Sequence, residues 1–93
     1  MSSYQIKPYS IKQARKLGVT VKTSTNASKK IDVFRNGNKI ASIGASGYND
    51  FPTWIDKKGQ SFAEERRRLY KARHRSDAKV KGTNGWFASR ILW

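Results

Sequence analysis

The sequence predicts a small single-domain α+β protein, in which a β-hairpin packs with two or three short helices and follows a basic N-terminal arm. Three observations support this class: a hairpin signal around Asn36-Gly37, a helix signal over residues 62–77, and a length of 93 residues, which suits one domain. The predicted division is a partly flexible arm with a short helix at residues 1–30 and the α+β domain at residues 31–93.

The N-terminal arm combines a helix signal with unopposed positive charge. Residues 1–30 contain seven Lys or Arg side chains and no Asp or Glu. Ser10 can cap a short helix, apolar residues then recur at every third position, and Gly18 suits the helix end. We expect the segment VTVKTST that follows to be extended, and the segment STNASKK to be a flexible polar linker.

The hairpin signal consists of two β-rich runs, residues 31–35 and 38–43, on either side of Asn36-Gly37. The Asn-Gly dipeptide accepts the positive φ angles of a type I′ turn. Since an isolated hairpin is marginal in water, other elements must cover at least one of its faces. Regular pairing across the turn gives two partly apolar faces, one with Ile31, Val33 and Ile40 and the other with Phe34, Ala41 and Ile43.

The helix signal runs from about Phe62 to about Asp77. Ser61 and Glu64 have the spacing of a capping box at its start, and the apolar stripe is narrow, so the helix presents broad basic faces. Before it, the segment PTWI can begin one helical turn with proline at the first position. After it, WFASRILW is predicted to form a short closing helix or an extended tail, with Trp93 packed first on the protein's own core.

Composition points to a partner that is negatively charged. The formal net charge is +14, whereas a small domain optimised for solubility carries a charge of magnitude about 2–8. Such an excess attracts nucleic acid, anionic membrane surfaces or acidic proteins. Only 37% of the residues are hydrophobic and none is cysteine, so we expect a partner surface to complete a thin core that no disulfide or thiolate zinc site reinforces.

Two further expectations concern location and chemistry. The chain has neither an apolar run long enough to span a membrane nor the pattern of a secretory leader, which favours a cytosolic, nuclear or particle-packaged protein. His74 is the only histidine and the six acidic residues are scattered, so no metal site, cofactor or catalytic cluster is predicted. The segment GASG lacks the GK[ST] of a P-loop. We therefore expect a protein that is not an enzyme.

The candidate binding residues fall into two groups. The basic ones are predicted to contact an anionic partner, either phosphates or acidic protein, between which the sequence does not choose. They are Lys12, Arg15, Lys16, Lys29, Lys30, Arg66, Arg67, Arg68, Lys71, Arg73 and Arg75. The aromatic ones are predicted apolar anchors, used in the core or an interface more readily than for stacking on bases. They are Tyr48, Phe51, Trp54, Trp86, Phe87 and Trp93.

From about Lys29 to the end, the sequence resembles a family of small basic proteins encoded by large double-stranded DNA viruses and some phages. That family shares a short strand pair, a Tyr-x-Asp-aromatic-Pro segment, an RRxxYxxRH helix and a G…A…LLW-like ending. The matching positions here are Tyr48, Asp50, Phe51 and Pro52; Arg67, Arg68, Tyr70 (one residue off the ideal spacing), Arg73 and His74; and Gly85, Ala88, Ile91, Leu92 and Trp93. The resemblance implies a viral origin.

From the resemblance we infer a non-enzymatic virion structural protein, a minor capsid or cement component that bridges capsomers through basic and aromatic contacts. Its partners would be the major capsid protein or other virion proteins, with no membrane span and no small-molecule substrate, and its location the virion after assembly in the host cytoplasm or nucleus. The alternative is a basic viral protein that contacts or condenses the DNA genome. A weaker third hypothesis is a regulatory or nuclease-associated factor.

Overall fold

The computed structural model describes residues 2–93, which form three strands and four helices. In chain order these are α1 (Pro8–Lys16), β1 (Thr20–Thr23), β2 (Lys29–Arg35), β3 (Asn38–Ala45), α2 (Phe51–Lys58), α3 (Gln60–Arg73) and α4 (Asn84–Ile91). The strands make one antiparallel sheet in the order β1-β2-β3. The predicted α+β single domain is confirmed, and β1 adds a third strand to the predicted hairpin.

The N-terminal helix begins earlier than its capping signal predicts. Lys7 is the N-cap and Pro8 occupies the first turn, where its missing N–H costs nothing. The prediction that Ser10 caps the helix is therefore wrong, because Ser10 lies inside α1 and is fully buried. Gly18 follows the helix end as predicted, and its N–H donates to the carbonyl of Arg15 at 3.1 Å.

The connection between β1 and β2 is a structured turn. Asn26 Oδ1 accepts hydrogen bonds from the N–H and the hydroxyl of Ser28 at 2.9 and 2.8 Å, and the buried Ser24 hydroxyl donates to Asp32 at 2.7 Å. The predicted linker STNASKK thus forms a turn in which local side-chain bonds satisfy the backbone, and its last two residues belong to β2, while its flexibility stays a prediction. The N-terminal residues join the same body, because the Ser2 N–H donates to the Ser24 carbonyl at 2.9 Å.

The turn of the β2–β3 hairpin has the predicted geometry. Asn36 and Gly37 have φ angles of 53° and 80°, as a type I′ turn requires. The register then shifts between Val33 and Phe34, so that Val33 pairs with Ala41 and Ile40 is the additional residue of a bulge. The predicted face assignment is wrong for this reason, since one extra residue moves every later side chain of β3 to the opposite face.

The core lies against the face on which Ile31 pairs with Ile43 and Val33 with Ala41. Helices α1 and α4 cover it, and the cluster is completed by Ala14, Val19, Phe87, Ala88, Ile91 and Leu92. The C-terminal residues therefore pack on the chain itself, as expected for Trp93. The radius of gyration of 12.4 Å matches the value of about 12 Å for a folded chain of this length.

The helices α2 and α3 form a second unit beside the core. Asp50 caps α2 by accepting from the Thr53 N–H at 3.0 Å, and the helix starts one residue before the predicted proline. The capping box predicted for α3 is wrong, because Gly59 directly joins the two helices and no side chain caps the start of α3. The Phe51 N–H donates to the Leu92 carbonyl at 3.0 Å and so fastens this unit to the end of α4.

Candidate functional site

A cleft of about 450 Å³ opens between the end of β3, the side of α3 and the C-terminal residues. Four aromatic side chains line it: Tyr48, Trp54, Tyr70 and Trp93. Helix α3 adds Arg66 and Arg73, the residue that follows it adds His74, and no Asp or Glu of residues 2–93 lines the cleft. The cleft is therefore both aromatic and positively charged.

Helix geometry explains how α3 supplies most of this surface. Positions 66, 70, 73 and 74 follow the i, i+4, i+7, i+8 spacing that places side chains on one helix face. Tyr70 stacks on His74, with ring centroids 4.3 Å apart, and on its other side the Trp93 ring lies at 4.4 Å and nearly parallel. The three rings form a column that fixes the position of Tyr70 at the wall of the cleft.

The opposite wall is built by Trp54 of α2. Its ring packs at a tilt against Phe62, with centroids 5.0 Å apart, and the Arg66 guanidinium lies 5.4 Å from its centroid. An arginine beside an aromatic ring is held in place and still has N–H groups free to donate to an anion. Trp54 and Arg66 thus present a flat surface next to a donor group.

Tyr48 projects from the loop between β3 and α2, and 75% of its surface is exposed. A second concavity of about 390 Å³ is lined in part by serine residues of the N-terminal segment and of the Tyr48 loop. Both concavities share Lys30, Tyr48 and Asn49. The two hollows therefore adjoin at the Tyr48 loop.

Beneath the cleft lies a buried ionic network centred on Asp50. Its carboxylate accepts from Lys30 Nζ at 3.0 Å and from the Tyr4 hydroxyl at 2.6 Å, in addition to the Thr53 N–H. Burial opposes the charged form of Asp50, but these hydrogen bonds and the Lys30 charge outweigh it and hold the pKa of Asp50 below its usual value. The network joins the N-terminal segment, β2 and α2.

The same network changes the two groups that contact Asp50. Burial, together with the hydrogen bond to Asp50 and its negative charge, raises the pKa of the Tyr4 phenol well above its usual value. The Lys30 side chain, predicted from sequence to contact an anionic partner, is only 6% exposed, and its ammonium is bound to Asp50. Its charge is therefore neutralised inside the protein.

Burial of acidic groups makes the surface more positive than the composition suggests. Asp32 and Asp50 are two of the six acidic residues and both are buried, whereas Lys30 is the only buried residue among the 20 Lys and Arg. Burial opposes ionisation of Asp32, but hydrogen bonds from Ser24, Ser42 and the Thr25 N–H, with the charge of Lys39, lower its pKa. Its negative charge is thus directed inward.

The other predicted basic contacts are distributed over several surfaces. Arg66 and Arg73 line the cleft. Arg67 is half-buried, with its guanidinium 4.0 Å from the Phe51 ring centroid, and Arg68 pairs with Glu65 on the exposed side of α3. The remaining residues lie outside the cleft: Lys12, Arg15 and Lys16 on α1, Lys29 at the start of β2, Lys71 on α3 and Arg75 just beyond it.

Positive charges crowd one another around α3. Burial, and then the neighbouring charges of Arg67 and Arg90, lower the pKa of Lys71. Like charges close together on a helix raise the free energy of the folded state unless an anion compensates them. Positive charge is therefore concentrated on this part of α3.

The predicted apolar anchors separate into two classes. Tyr48, Trp54 and Trp93 line the cleft. Phe51 and Phe87 are only 3% and 1% exposed, so both belong to the protein interior. Trp86 is half-buried, in edge-on contact with Phe87 and beneath the Arg90 guanidinium at 4.2 Å. These three residues stabilise the fold and leave fewer apolar anchors for a partner.

Sequence reasoning missed the cleft positions of Tyr70 and His74 and the network around Asp50. The spacing of Tyr70 and His74 from Arg66 on α3 was a readable signal, as was an aspartate placed just before Phe51-Pro52 at a helix start. Nothing local indicated that Lys30 and Tyr4 would meet that aspartate. His74 was expected to face solvent; it is half-exposed, and its Nδ1 lies 3.0 Å from Asp77.

Within residues 2–93, no three His, Asp or Glu side chains lie together as metal ligands would. None of the helices in the same residues has the length and apolarity to cross a bilayer. The fold and the cleft define a small α+β protein with a basic, aromatic cleft at its surface. Comparison with family models, curated proteins and solved structures gave no match to this chain. The relationship to viral proteins therefore stays a prediction that rests on the sequence motifs.

Proposed function

We propose that this protein is a non-enzymatic nucleic-acid-binding protein whose contact surface is the cleft and the adjoining basic face of α3. The observation that carries the proposal is the presence of Arg66, Arg73 and His74 beside Tyr48, Trp54 and Tyr70, without an acidic side chain in the same cleft. Arginine donates two parallel hydrogen bonds to a phosphate, and an aromatic ring stacks on any base. Each nucleotide of a nucleic acid supplies both a phosphate for the arginines and a base for the aromatic rings.

Acidic protein surfaces are a less suitable partner for this cleft. They offer carboxylates to the arginines, but a stable protein–protein interface also needs several apolar anchors in its centre. Phe51 and Phe87, two of the predicted anchors, are buried inside the protein itself. The aromatic groups that remain accessible are interleaved with arginines, an arrangement that suits a charged polymer with flat bases.

Fluorescence anisotropy with labelled DNA, measured over a range of salt concentrations, tests the proposal. The logarithm of the association constant should fall with the logarithm of salt concentration, with a slope of about −0.9 per neutralised phosphate on duplex and about −0.7 on single strands. Neutralisation of about five phosphates would give a slope near −4.5 on duplex. Binding that is absent at low salt, or a slope near zero, would contradict the proposal.

Two matched triple variants locate the surface. The combination Arg66→Gln, Arg73→Gln, Arg75→Gln removes three exposed charges at and beside the cleft, and Lys12→Gln, Arg15→Gln, Lys16→Gln removes three exposed charges from α1. Both lower the net charge by three, so a nonspecific effect of charge is the same for both. We expect the first variant to lose markedly more affinity than the second. Loss of three phosphate contacts should also make its salt slope on duplex shallower by about 2.7.

The virion structural role inferred from the resemblance is a second candidate, and one observation favours it. Phe62 and Leu69 of α3 are 41% and 39% exposed, and their separation of seven residues places them on one helix face. Such a pair can anchor a protein neighbour. A shallow salt dependence of DNA binding, with the chain found at fixed positions of the shell in an averaged map of the particle, would favour this role over the first.

A further inference from the structure

We propose that the protein prefers single-stranded nucleic acid, and that the strand crosses the Tyr48 loop, with one unpaired base stacked on the Tyr48 ring. This inference rests on the proposed nucleic-acid function and specifies the form of the polymer. It depends on the exposed ring of Tyr48, on the two hollows that adjoin at the Tyr48 loop, and on the charge of the larger hollow.

The exposure of Tyr48 is the first step. At 75% it is the most exposed large hydrophobic or aromatic side chain among residues 2–93. Its N–H donates to the Ala45 carbonyl at 3.4 Å, so a turn holds its backbone while the ring extends into solvent. A tyrosine in this position contributes little to the core, and its apolar ring is available to a flat partner.

The two hollows indicate a chain-like ligand. They hold about 450 and 390 Å³ and share Lys30, Tyr48 and Asn49, so they adjoin at the Tyr48 loop. A free mononucleotide would occupy one of them. A strand with its bases on one side and its phosphates on the other can follow both, and its backbone can bend across a single residue more easily than a duplex can.

The chemistry of the two hollows fits a strand. The larger hollow offers Arg66 and Arg73 for phosphate and the Trp54 ring as an aromatic surface for a base. The smaller hollow offers hydroxyl groups of Ser2 and Ser3, which can donate to phosphate or sugar oxygens, whereas the Ser46 hydroxyl already donates to the Ala27 carbonyl at 2.6 Å. Duplex DNA hides the faces of its bases in the stack, so it could use the charges but not the aromatic rings.

The test compares an oligothymidylate of about ten nucleotides with a duplex, using fluorescence anisotropy, for the wild-type chain, Tyr48→Ala and Tyr48→Phe. Loss of a stacking ring should weaken single-strand binding by about 5- to 150-fold, the usual contribution of one stacked base to affinity. We expect Tyr48→Ala to lose that factor on the single strand while its duplex affinity changes less than about 2-fold. Tyr48→Phe keeps the ring and should bind the single strand as the wild type does.

The outcomes separate this inference from the function on which it rests. If neither single strand nor duplex binds, the proposed function fails. If both bind and Tyr48→Ala weakens them equally, or weakens neither, the protein is a nucleic-acid-binding protein but the Tyr48 path is wrong. Thermal melting of both variants serves as the folding control, because the exposed ring should leave the melting temperature nearly unchanged. A mononucleotide that binds as tightly as the oligonucleotide would also overturn the path.

Discussion

The substitution Asp50→Asn tests the buried network directly, because it removes one charge while it preserves side-chain size and the ability to cap α2. In the native protein the Asp50 carboxylate lies 3.0 Å from Lys30 Nζ, and the two side chains are 1% and 6% exposed. The variant leaves a buried ammonium without a counter-charge. Breaking a buried pair in this way costs about 3–5 kcal/mol.

This loss is large relative to the stability of the domain. A domain of this size has a free energy of unfolding of roughly 5–15 kcal/mol. We therefore expect Asp50→Asn to remove a large fraction of the stability and to lower the melting temperature by about 12–40 °C, at roughly 4–8 °C for each of the roughly 3–5 kcal/mol lost.

The assay is urea denaturation followed by tryptophan fluorescence, with Asp56→Asn as the matched control. Asp56 also lies on α2 and pairs with a lysine, Lys7, at 3.0 Å, but its side chain is 62% exposed. An exposed pair contributes about 0–1 kcal/mol, so the control should be nearly as stable as the wild type. If Asp50→Asn costs less than about 1 kcal/mol, or no more than the control, the buried network is not a stabilising element. The double variant with Lys30→Met should recover part of the loss, because it also removes the unpaired charge.

Two further predictions concern the backbone and acid stability. Gly44→Ala should destabilise by more than about 1 kcal/mol, because φ is +79° and a Cβ there would lie 2.8 Å from Leu92 Cδ1. The control Gly47→Ala, with a φ of +88° and open space around it, has only the backbone cost of about 1 kcal/mol. Equal unfolding free energies for the two variants would contradict the close packing at Gly44. The lowered pKa values of Asp32 and Asp50 stabilise the fold at pH values above the unfolded-state pKa of about 3.9, and this contribution is lost as pH falls through the folded-state pKa values. Unfolding should therefore set in below about pH 4, and Asp32→Asn should weaken the dependence of stability on pH. An unchanged acid transition in the variant would contradict this prediction.

The parts of the fold that the sequence predicted depend on local chemistry. Asn36-Gly37 specifies its turn by the φ angles that these residues tolerate, and the long helix α3 follows from its run of helix-forming residues. The sheet faces were mispredicted because a bulge at Ile40 shifts the register. The bulge puts Ala41 and Ile43 on the buried face with Ile31 and Val33, and no local pattern in the sequence specifies it.

The candidate site was predictable only in part for a similar reason. Its basic side chains come from one helix, so their shared face can be read from their spacing. The pairing of Lys30 with Asp50, and the stacking of Trp93 on Tyr70, join residues that are distant in the chain. Tertiary packing decides which charges are neutralised inside and which remain for a partner, and Lys30 shows that a basic residue in a basic sequence can belong to the first group.

Under the proposed function, ligand binding and stability are linked, because neighbouring residues serve the core and the cleft. Leu92 is buried in the core and its carbonyl accepts from Phe51, while the next residue, Trp93, supports Tyr70 at the wall of the cleft. A ligand that binds the folded cleft and not the unfolded chain stabilises the protein by RT ln(1 + [L]/Kd), about 2.7 kcal/mol at a hundredfold excess over Kd. Relief of the charge crowding around α3 is part of that binding energy. The melting temperature should therefore rise with the concentration of the true polyanionic partner, and the rise should be smaller at high salt because screening weakens the phosphate contacts.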